Sequence, residues 1–210
     1  MVAPRPEPPT LWIIAGANGS GKSTAYARLA IEEPSGSVWI INPDLLTLRL
    51  RQDEGLEPAK ANLQAVQRIE AWLYASVETH QTVGVETVLS TPKYRRLVET
   101  AKARGFRFKL VYVVLADAEL NIERVALRVL KGGHDVARDK IIDRRRRSLE
   151  QLPWFLSRAD YALVLDNSGE EPLEVAKWTQ SAGDVSVEHV ETAPREIVEA
   201  LRAAIELLDD

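Results

Sequence analysis

Apolar residues follow two alternating patterns along this chain. Short apolar runs, such as residues 11–14, are typical of strands that are buried on both faces of a parallel sheet. Longer segments with an apolar residue every three or four positions, such as residues 58–79, are typical of amphipathic helices. Strands are predicted at residues 11–14, 38–41, 82–87, 106–115 and 161–165. Helices are predicted at residues 22–32, 58–79, 92–104, 118–131, 138–151 and 194–208.

This alternation of strands and helices predicts an α/β fold. We expect a parallel sheet of about five strands with helices on both faces, and ligands at the C-terminal ends of the strands. Asn42-Pro43-Asp44 ends the second strand, because proline removes a backbone donor, and Asp44 can then cap a further helix.

The two ends of the chain depart from this alternation. Residues 1–10 include four prolines and are expected to form a flexible leader. Residues 11–170 are expected to form the main domain. Residues 171–210 are expected to be a small C-terminal extension packed on it, with two short strands around Gly183.

Composition narrows the class of protein. The 210 residues include no cysteine, which excludes disulfides, cysteine-rich zinc sites and thiol catalysis and favours a cytoplasmic location. No apolar run approaches the roughly 20 residues of a membrane span. A formal net charge of −4 argues against a nucleic-acid-binding protein, which normally has a basic face.

A phosphate-binding loop follows the first predicted strand and precedes a predicted helix. Its sequence is G, four residues, then G-K-S, the pattern of a P-loop. Backbone N–H groups of such a loop bind nucleotide phosphates, Lys22 reaches the terminal phosphates, and the Ser23 hydroxyl can bind Mg²⁺. We therefore expect ATP or GTP with Mg²⁺. The predicted nucleotide-binding residues are Gly16, Ala17, Asn18, Gly19, Ser20, Gly21, Lys22, Ser23 and Thr24.

Two carboxylates follow neighbouring predicted strands. Asp44 is placed to accept a proton from a substrate hydroxyl, and the alternative is a helix cap. Glu86, with Thr87 beside it, can bind sugar hydroxyls or support magnesium through water. The alternative for Glu86 is a capping cluster for the helix after Pro92.

Cations surround a glycine pair between two predicted helices. Arg124 and Arg128 precede Gly132-Gly133-His134, and Arg144 follows. Such an arrangement resembles a lid that closes over phosphates and neutralises charge during transfer. The alternatives are two solvated helices joined by a glycine cap, and a structural hydrogen-bonding role for His134. Because consecutive helical residues point around the axis, only one or two of the four arginines 144–147 are expected to face a ligand.

These motifs, in this order, resemble the zeta toxin family of P-loop kinases over residues 11–167. The matching motifs are GANGSGKST, NPD, ET before a Ser/Thr stretch, and R-x3-R-x3-GGHDV with a downstream arginine. The resemblance implies a kinase that phosphorylates a UDP-sugar such as UDP-N-acetylglucosamine, and a possible antitoxin partner. The implied catalytic residues are Asp44, Lys22, Arg128 and Arg144. The implied substrate-binding residues are Asp44, Glu86, Thr87, Arg124 and His134.

The chain departs from this family at two positions. Val88 stands where many relatives have a threonine, so that contact is missing or comes from Thr87, and Ala137 replaces the proline of the lid motif. Two other functions remain open at this point: a kinase of an antibiotic or nucleoside, and a non-catalytic nucleotide switch. Asp166 and Asn167, after the fifth strand, could flank the nucleotide base by analogy with the fold.

Overall fold

The computed structural model describes residues 7–28, 32–33, 36–181 and 184–209. Residues 1–6 of the predicted leader, and Gly183, lie outside this part. The strands are β1 (Thr10–Ala15), β2 (Glu32–Glu33), β3 (Gly36–Ser37), β4 (Ile40–Ile41), β5 (Val83–Thr87), β6 (Arg107–Val114), β7 (Tyr161–Asp166), β8 (Leu173–Ser181) and β9 (Asp184–His189). The helices are α1 (Lys22–Arg28), α2 (Pro43–Glu54), α3 (Pro58–Glu78), α4 (Arg95–Ala103), α5 (Ala118–Leu130), α6 (Arg138–Arg158) and α7 (Arg195–Asp209), with a 3₁₀ turn (Pro92–Tyr94) before α4.

The main sheet of the described residues has the strand order β4-β5-β1-β6-β7-β8-β9. Strands β4, β5, β1, β6 and β7 are parallel to one another, as the sequence predicts. Strands β8 and β9 continue the sheet in antiparallel orientation. The C-terminal extension is therefore part of the same sheet. Strands β2 and β3 pair with each other in a separate hairpin.

Strand β1 lies in the middle of the core, and all six of its residues are buried. Successive side chains of a strand point to opposite faces. Leu11 and Ile13 accordingly join the larger apolar cluster, and Trp12 and Ile14 join the cluster on the other face. Burial on both faces fixes the end of β1, where the phosphate loop begins. A third, small cluster attaches α2 to α3 through Leu50, Ala61 and Ala65.

Several boundaries differ from the predictions. The predicted strand 38–41 is shortened to Ile40–Ile41. Helix α6 continues seven residues past 151 and contains Pro153. Proline removes one helical hydrogen bond, but Leu152, Phe155 and Leu156 are fully buried, so packing maintains the helix.

Pro9, directly before β1, is hydrogen-bonded to the sheet. Pro9 O accepts a 2.9 Å hydrogen bond from Arg107 N, next to the first residue pair of β1 and β6. Thr10, the last residue of the predicted leader, belongs to β1. Among the described residues no helix is both long and apolar enough to cross a membrane.

Candidate nucleotide and acceptor site

The phosphate loop joins β1 to α1 in a conformation that requires glycine. Gly16, Gly19 and Gly21 have φ angles of 142°, 79° and 84°, which L side chains rarely adopt. A Cβ on Gly16 would lie 2.2 Å from Val113 O, and one on Gly19 would lie 2.5 Å from Asn121 O. The loop is thus packed directly against the end of β6 and against α5.

Lys22 lies at the first position of α1 with only 8% of its surface exposed. Its Nζ donates to Ala17 O at 3.1 Å and lies 4.0 Å from Glu86 Oε1. Burial lowers the pKa of Lys22, while Glu86 and Asp44 act to raise that pKa. Both carboxylates are therefore close enough to affect this ammonium group electrostatically.

Glu86 connects three elements at the edge of the sheet. Its Oε2 accepts hydrogen bonds from Ser23 Oγ at 2.7 Å and from Asn42 Nδ2 at 2.9 Å. The capping interpretation of Glu86 is wrong, because its bonds lead toward the phosphate loop. Thr91, the N-cap of the 3₁₀ turn, makes no side-chain capping bond either.

The contact between Ser23 and Glu86 suits magnesium, which prefers oxygen ligands and usually retains water and substrate phosphates as further ligands. No cluster of three or more histidine, aspartate or glutamate side chains able to hold a metal occurs in the described part of the chain. Ser23 and Glu86 therefore fit a Mg²⁺ ion that arrives with a nucleotide.

Asp44 is exposed in the first turn of α2 and does not cap it. The N-cap is Asn42, whose Oδ1 accepts from the backbone nitrogens of Asp44 at 2.9 Å and Leu45 at 3.3 Å. The predicted cap at Asp44 is therefore wrong, since an extended residue directly before the proline occupies that position. The carboxylate of Asp44 is left for other chemistry.

A cleft of about 430 Å³ runs along the phosphate loop. It brings together predicted residues from the loop, β5 and α5. Its lining consists of Gly19, Gly21, Lys22, Ser23, Thr24, Glu86, Arg124, Arg128, Asn167, Gly169 and Glu170. Thr87 is not among them. Its Oγ1 accepts instead from Leu89 N at 3.1 Å, in a turn where Leu89 has a φ of 59°.

The predicted lid residues separate into different positions. Arg124 and Arg128 line the cleft, and their guanidinium groups donate to Ser168 O at 3.3 Å and His134 O at 2.7 Å. His134 is exposed, and its ring is not brought into the cleft. Arg144 donates to Asn18 Oδ1 at 3.3 Å and so contacts the phosphate loop itself.

The four consecutive arginines lie in three different environments, because consecutive helical residues point around the axis. Arg144 faces the loop, while Arg145 is buried and pairs with Glu196. Arg146 and Arg147 lie on the outer face of α6, where acidic residues of the same helix pair with them. One arginine of the run, Arg144, thus contacts the candidate site.

Two asparagines that support the loop were not predicted in that role. Asn121 Nδ2 donates to Asn18 O at 2.8 Å, and Asn167 Nδ2 donates to Ser20 O at 2.8 Å. Both are buried. A Cβ on Gly21 would lie 2.3 Å from Asn167 Nδ2, so glycine permits this approach. For Asn167, the sequence signal was a polar residue directly after a predicted strand. The prediction placed this residue beside the nucleotide base instead of the phosphate loop.

Asp166, the other residue predicted beside the base, bonds within its own turn. Its Oδ1 accepts from Ser168 N at 2.9 Å and from the Ser168 hydroxyl. Ser168 Oγ in turn accepts from Ala116 N at 2.8 Å, which connects the ends of β7 and β6.

Comparison with known proteins identifies relatives. A family model described as an AAA domain matches residues 11–152. An uncharacterized protein of Haemophilus influenzae is 27% identical over 138 residues, which is 61% of this chain and 92% of that protein.

Solved structures are similar over most of the chain. One belongs to the PezAT chromosomal toxin-antitoxin system of Streptococcus pneumoniae, with a TM-score of 0.59 and 17% identity, covering 98% of this chain and 89% of that chain. Another is AvrRxo1-ORF1:-ORF2 with ATP, with a TM-score of 0.59 and 17% identity, covering 86% of this chain and 60% of that one. At such identities the likeness concerns the fold, and the predicted α/β P-loop NTPase fold is confirmed.

Proposed function

The chain belongs to the AAA domain family, and on this premise we propose that it is a kinase that transfers the terminal phosphate of ATP or GTP to a sugar hydroxyl. The proposed acceptor is a UDP-sugar such as UDP-N-acetylglucosamine. The observation that carries the proposal is the exposed Asp44 carboxylate, which is free of a capping role and stands two residues after Asn42, whose Nδ2 donates to Glu86 of the cleft.

On the donor side, the loop N–H groups and Lys22 would bind the phosphates. Ser23 and Glu86 would hold Mg²⁺, whose chemistry is to neutralise charge on the β- and γ-phosphates. Lys22 is already buried at the loop, so nucleotide binding would require only that its Nζ exchange Ala17 O for a phosphate oxygen. These features support nucleotide binding by any P-loop protein, so the kinase assignment depends on the acceptor side.

On the acceptor side, Asp44 would accept the proton of the attacking hydroxyl as the new P–O bond forms and the bond to the leaving diphosphate breaks. The dipole at the start of α2 favours a negative charge there. Arg128 and Arg144 would stabilise charge on the phosphoryl group during transfer, and Arg124 would help to bind the acceptor substrate.

The choice of a UDP-sugar rests on the resemblance to the zeta toxin family, which is carried by the GANGSGKST, NPD, ET and GGHDV motifs in this order. The similar structure from a toxin-antitoxin system supports the further proposal of an antitoxin protein as a partner. The similar structure with ATP supports ATP as the donor.

The test is transfer of γ-³²P from ATP, with Mg²⁺, to a panel of UDP-sugars, nucleosides and hydroxyl-bearing antibiotics. We expect a labelled UDP-sugar. Label on a nucleoside or antibiotic alone would show that the protein is a kinase with an acceptor other than a UDP-sugar. Tight nucleotide binding with no acceptor labelled would favour a nucleotide switch and overturn the proposal.

Asp44→Asn is the decisive variant. Loss of a general base lowers the rate by about a hundredfold or more, while ATP binding and the melting temperature should change little. Asp53→Asn, at an exposed position of the same helix, is the matched control and should retain full activity. Transfer by Asp44→Asn within about threefold of the wild-type rate would remove the general-base assignment.

A further inference from the structure

A buried arginine joins the C-terminal helix α7 to the end of the central strand β6. Arg145 is 9% exposed, and its two terminal nitrogens donate to both carboxylate oxygens of Glu196 at 2.8 and 3.0 Å. The same guanidinium group donates to Leu115 O at 3.1 Å. A buried guanidinium needs a charged partner, and the planar two-bond geometry fixes the direction of its side chain.

The residue before it, Arg144, contacts the phosphate loop. Arg144 Nη1 lies 3.3 Å from Asn18 Oδ1, near the long end of hydrogen-bond distances. A small rotation of α6 would break this bond. The position of α6 therefore decides whether Arg144 reaches the loop.

Two further polar contacts attach helix α6 to Tyr112 of β6 and to Val88, which directly follows β5. Ser148 Oγ donates to Val88 O at 2.6 Å, and the Tyr112 hydroxyl lies 3.0 Å from Ser148 Oγ. These contacts fix the helix one turn beyond Arg145. The contact between Arg145 and Glu196 fixes the turn that carries Arg144.

Helix α7 lies outside residues 11–152, the region that matches the AAA domain family. Its residues Ile197, Ala200, Leu201 and Ala204 are buried in the main apolar cluster. Glu196 is at the beginning of this anchored helix, so its carboxylate has a fixed position from which to hold Arg145.

We propose that Glu196 is a positioning residue for phosphoryl transfer: through Arg145 it fixes α6 so that Arg144 contacts the phosphate loop. This inference rests on the proposed kinase function for its effect on rate. The proposal gives the C-terminal extension a role in the site as well as in the core.

The test compares Glu196→Gln with Glu199→Gln. Glu199 lies one turn further along α7 and pairs with Arg195 on the surface. We expect Glu196→Gln to lower kcat by about tenfold, since small displacements of a catalytic group are costly, and to leave the Kd of ATP almost unchanged. Glu199→Gln should keep the wild-type kcat.

A double-mutant cycle separates positioning from general stability. If Glu196 acts through Arg144, Glu196→Gln should lower kcat no further in an Arg144→Ala background. Multiplied effects of the two substitutions, or a lower melting temperature of Glu196→Gln with kcat within about twofold of wild type, would overturn the proposal.

Two measurements need no acceptor and keep this inference distinct from the proposed function. They are ATP hydrolysis to water and the side-chain amide signal of Asn18 in ¹H–¹⁵N spectra. Glu196→Gln should slow hydrolysis and shift that signal in the direction that Arg144→Ala does. If no acceptor is labelled, only the proposed kinase function is contradicted. An unchanged Asn18 signal in Glu196→Gln would refute the positioning role of Glu196.

Discussion

The Ser23 hydroxyl donates a 2.7 Å hydrogen bond to Glu86 Oε2, across 63 positions of sequence. Strands β1 and β5 are parallel neighbours in which Ile14 pairs with Glu86, so both strands end at one edge of the sheet. The two oxygen ligands proposed for Mg²⁺ consequently lie side by side.

Lys22→Ala should abolish phosphoryl transfer, because it removes the ammonium group that is buried beside the loop. We expect the rate to fall by at least about a hundredfold in a transfer assay. The control is Lys131→Ala, which removes an exposed cation at the end of α5. Near-normal turnover in a correctly folded Lys22→Ala variant would contradict the nucleotide site.

Glu86→Gln should move the alkaline limb of kcat/KM to lower pH. Burial holds the pKa of Lys22 below its ordinary value of 10.5, and Glu86 opposes this shift. Without the carboxylate, the pKa of Lys22 should fall further, and the ammonium should lose its proton at lower pH. Glu54→Gln, which alters an exposed ion pair with Arg68, should leave the limb in place.

As the pH rises, the lowered pKa of Lys22 affects stability in the opposite direction from activity. The unfolded chain holds the proton of Lys22 more tightly than the folded chain does, so the free energy of unfolding gains from this group as pH rises from the lowered pKa to 10.5. Activity should therefore decline over an interval in which the contribution of Lys22 to stability improves. Parallel pH profiles of kcat/KM and of chemical unfolding, for wild type and Lys22→Ala, would detect the divergence.

Asn42→Ala should destabilise the protein more than Asp44→Asn does. Loss of the N-cap costs about 1 kcal/mol, and one hydrogen bond to Glu86 is lost with it. Asp44→Asn retains Asn42 and should melt nearly as wild type does. Equal destabilisation by the two substitutions, measured in urea, would show that the Asp44 carboxylate has a structural role.

Arg144→Ala should lower kcat by more than tenfold and weaken ATP binding much less, because charge on the phosphoryl group is greatest during transfer. Arg146→Ala is the control from the same helix, since Arg146 pairs with Asp143 and Glu150 on the outer face. Proportional losses of ATP affinity and rate in Arg144→Ala would indicate binding of the ground state instead.

The sequence predicted the parallel sheet and the phosphate loop well because both produce local patterns. The apolar run at residues 11–14 and the glycines after it determine their own conformations. For Glu86 and Ser23, the sequence could predict only that the two residues lie at the same edge of the sheet. That edge follows from strand order, but the individual hydrogen bonds do not.

Contacts made by amide side chains could not be predicted in the same way. Asn42, Asn121 and Asn167 each donate to a partner that is distant in sequence. Asparagine is also common in turns and caps, so its presence alone does not indicate a partner. The error at Asp44 has a local origin, since asparagine and aspartate cap helices about equally well and the capping oxygen belongs to Asn42, two positions earlier.

The edge position of β4 has a consequence for local motion. Among the described strands, this two-residue strand has a single neighbour, β5, and Leu50 is the one buried residue of α2, with Leu46 only partly buried against the main core. The segment that carries Asp44 can therefore open by itself at a lower free energy than global unfolding. In hydrogen exchange, the amides of β4 and α2 should exchange long before those of β1 and β6, and a bound acceptor should slow their exchange selectively.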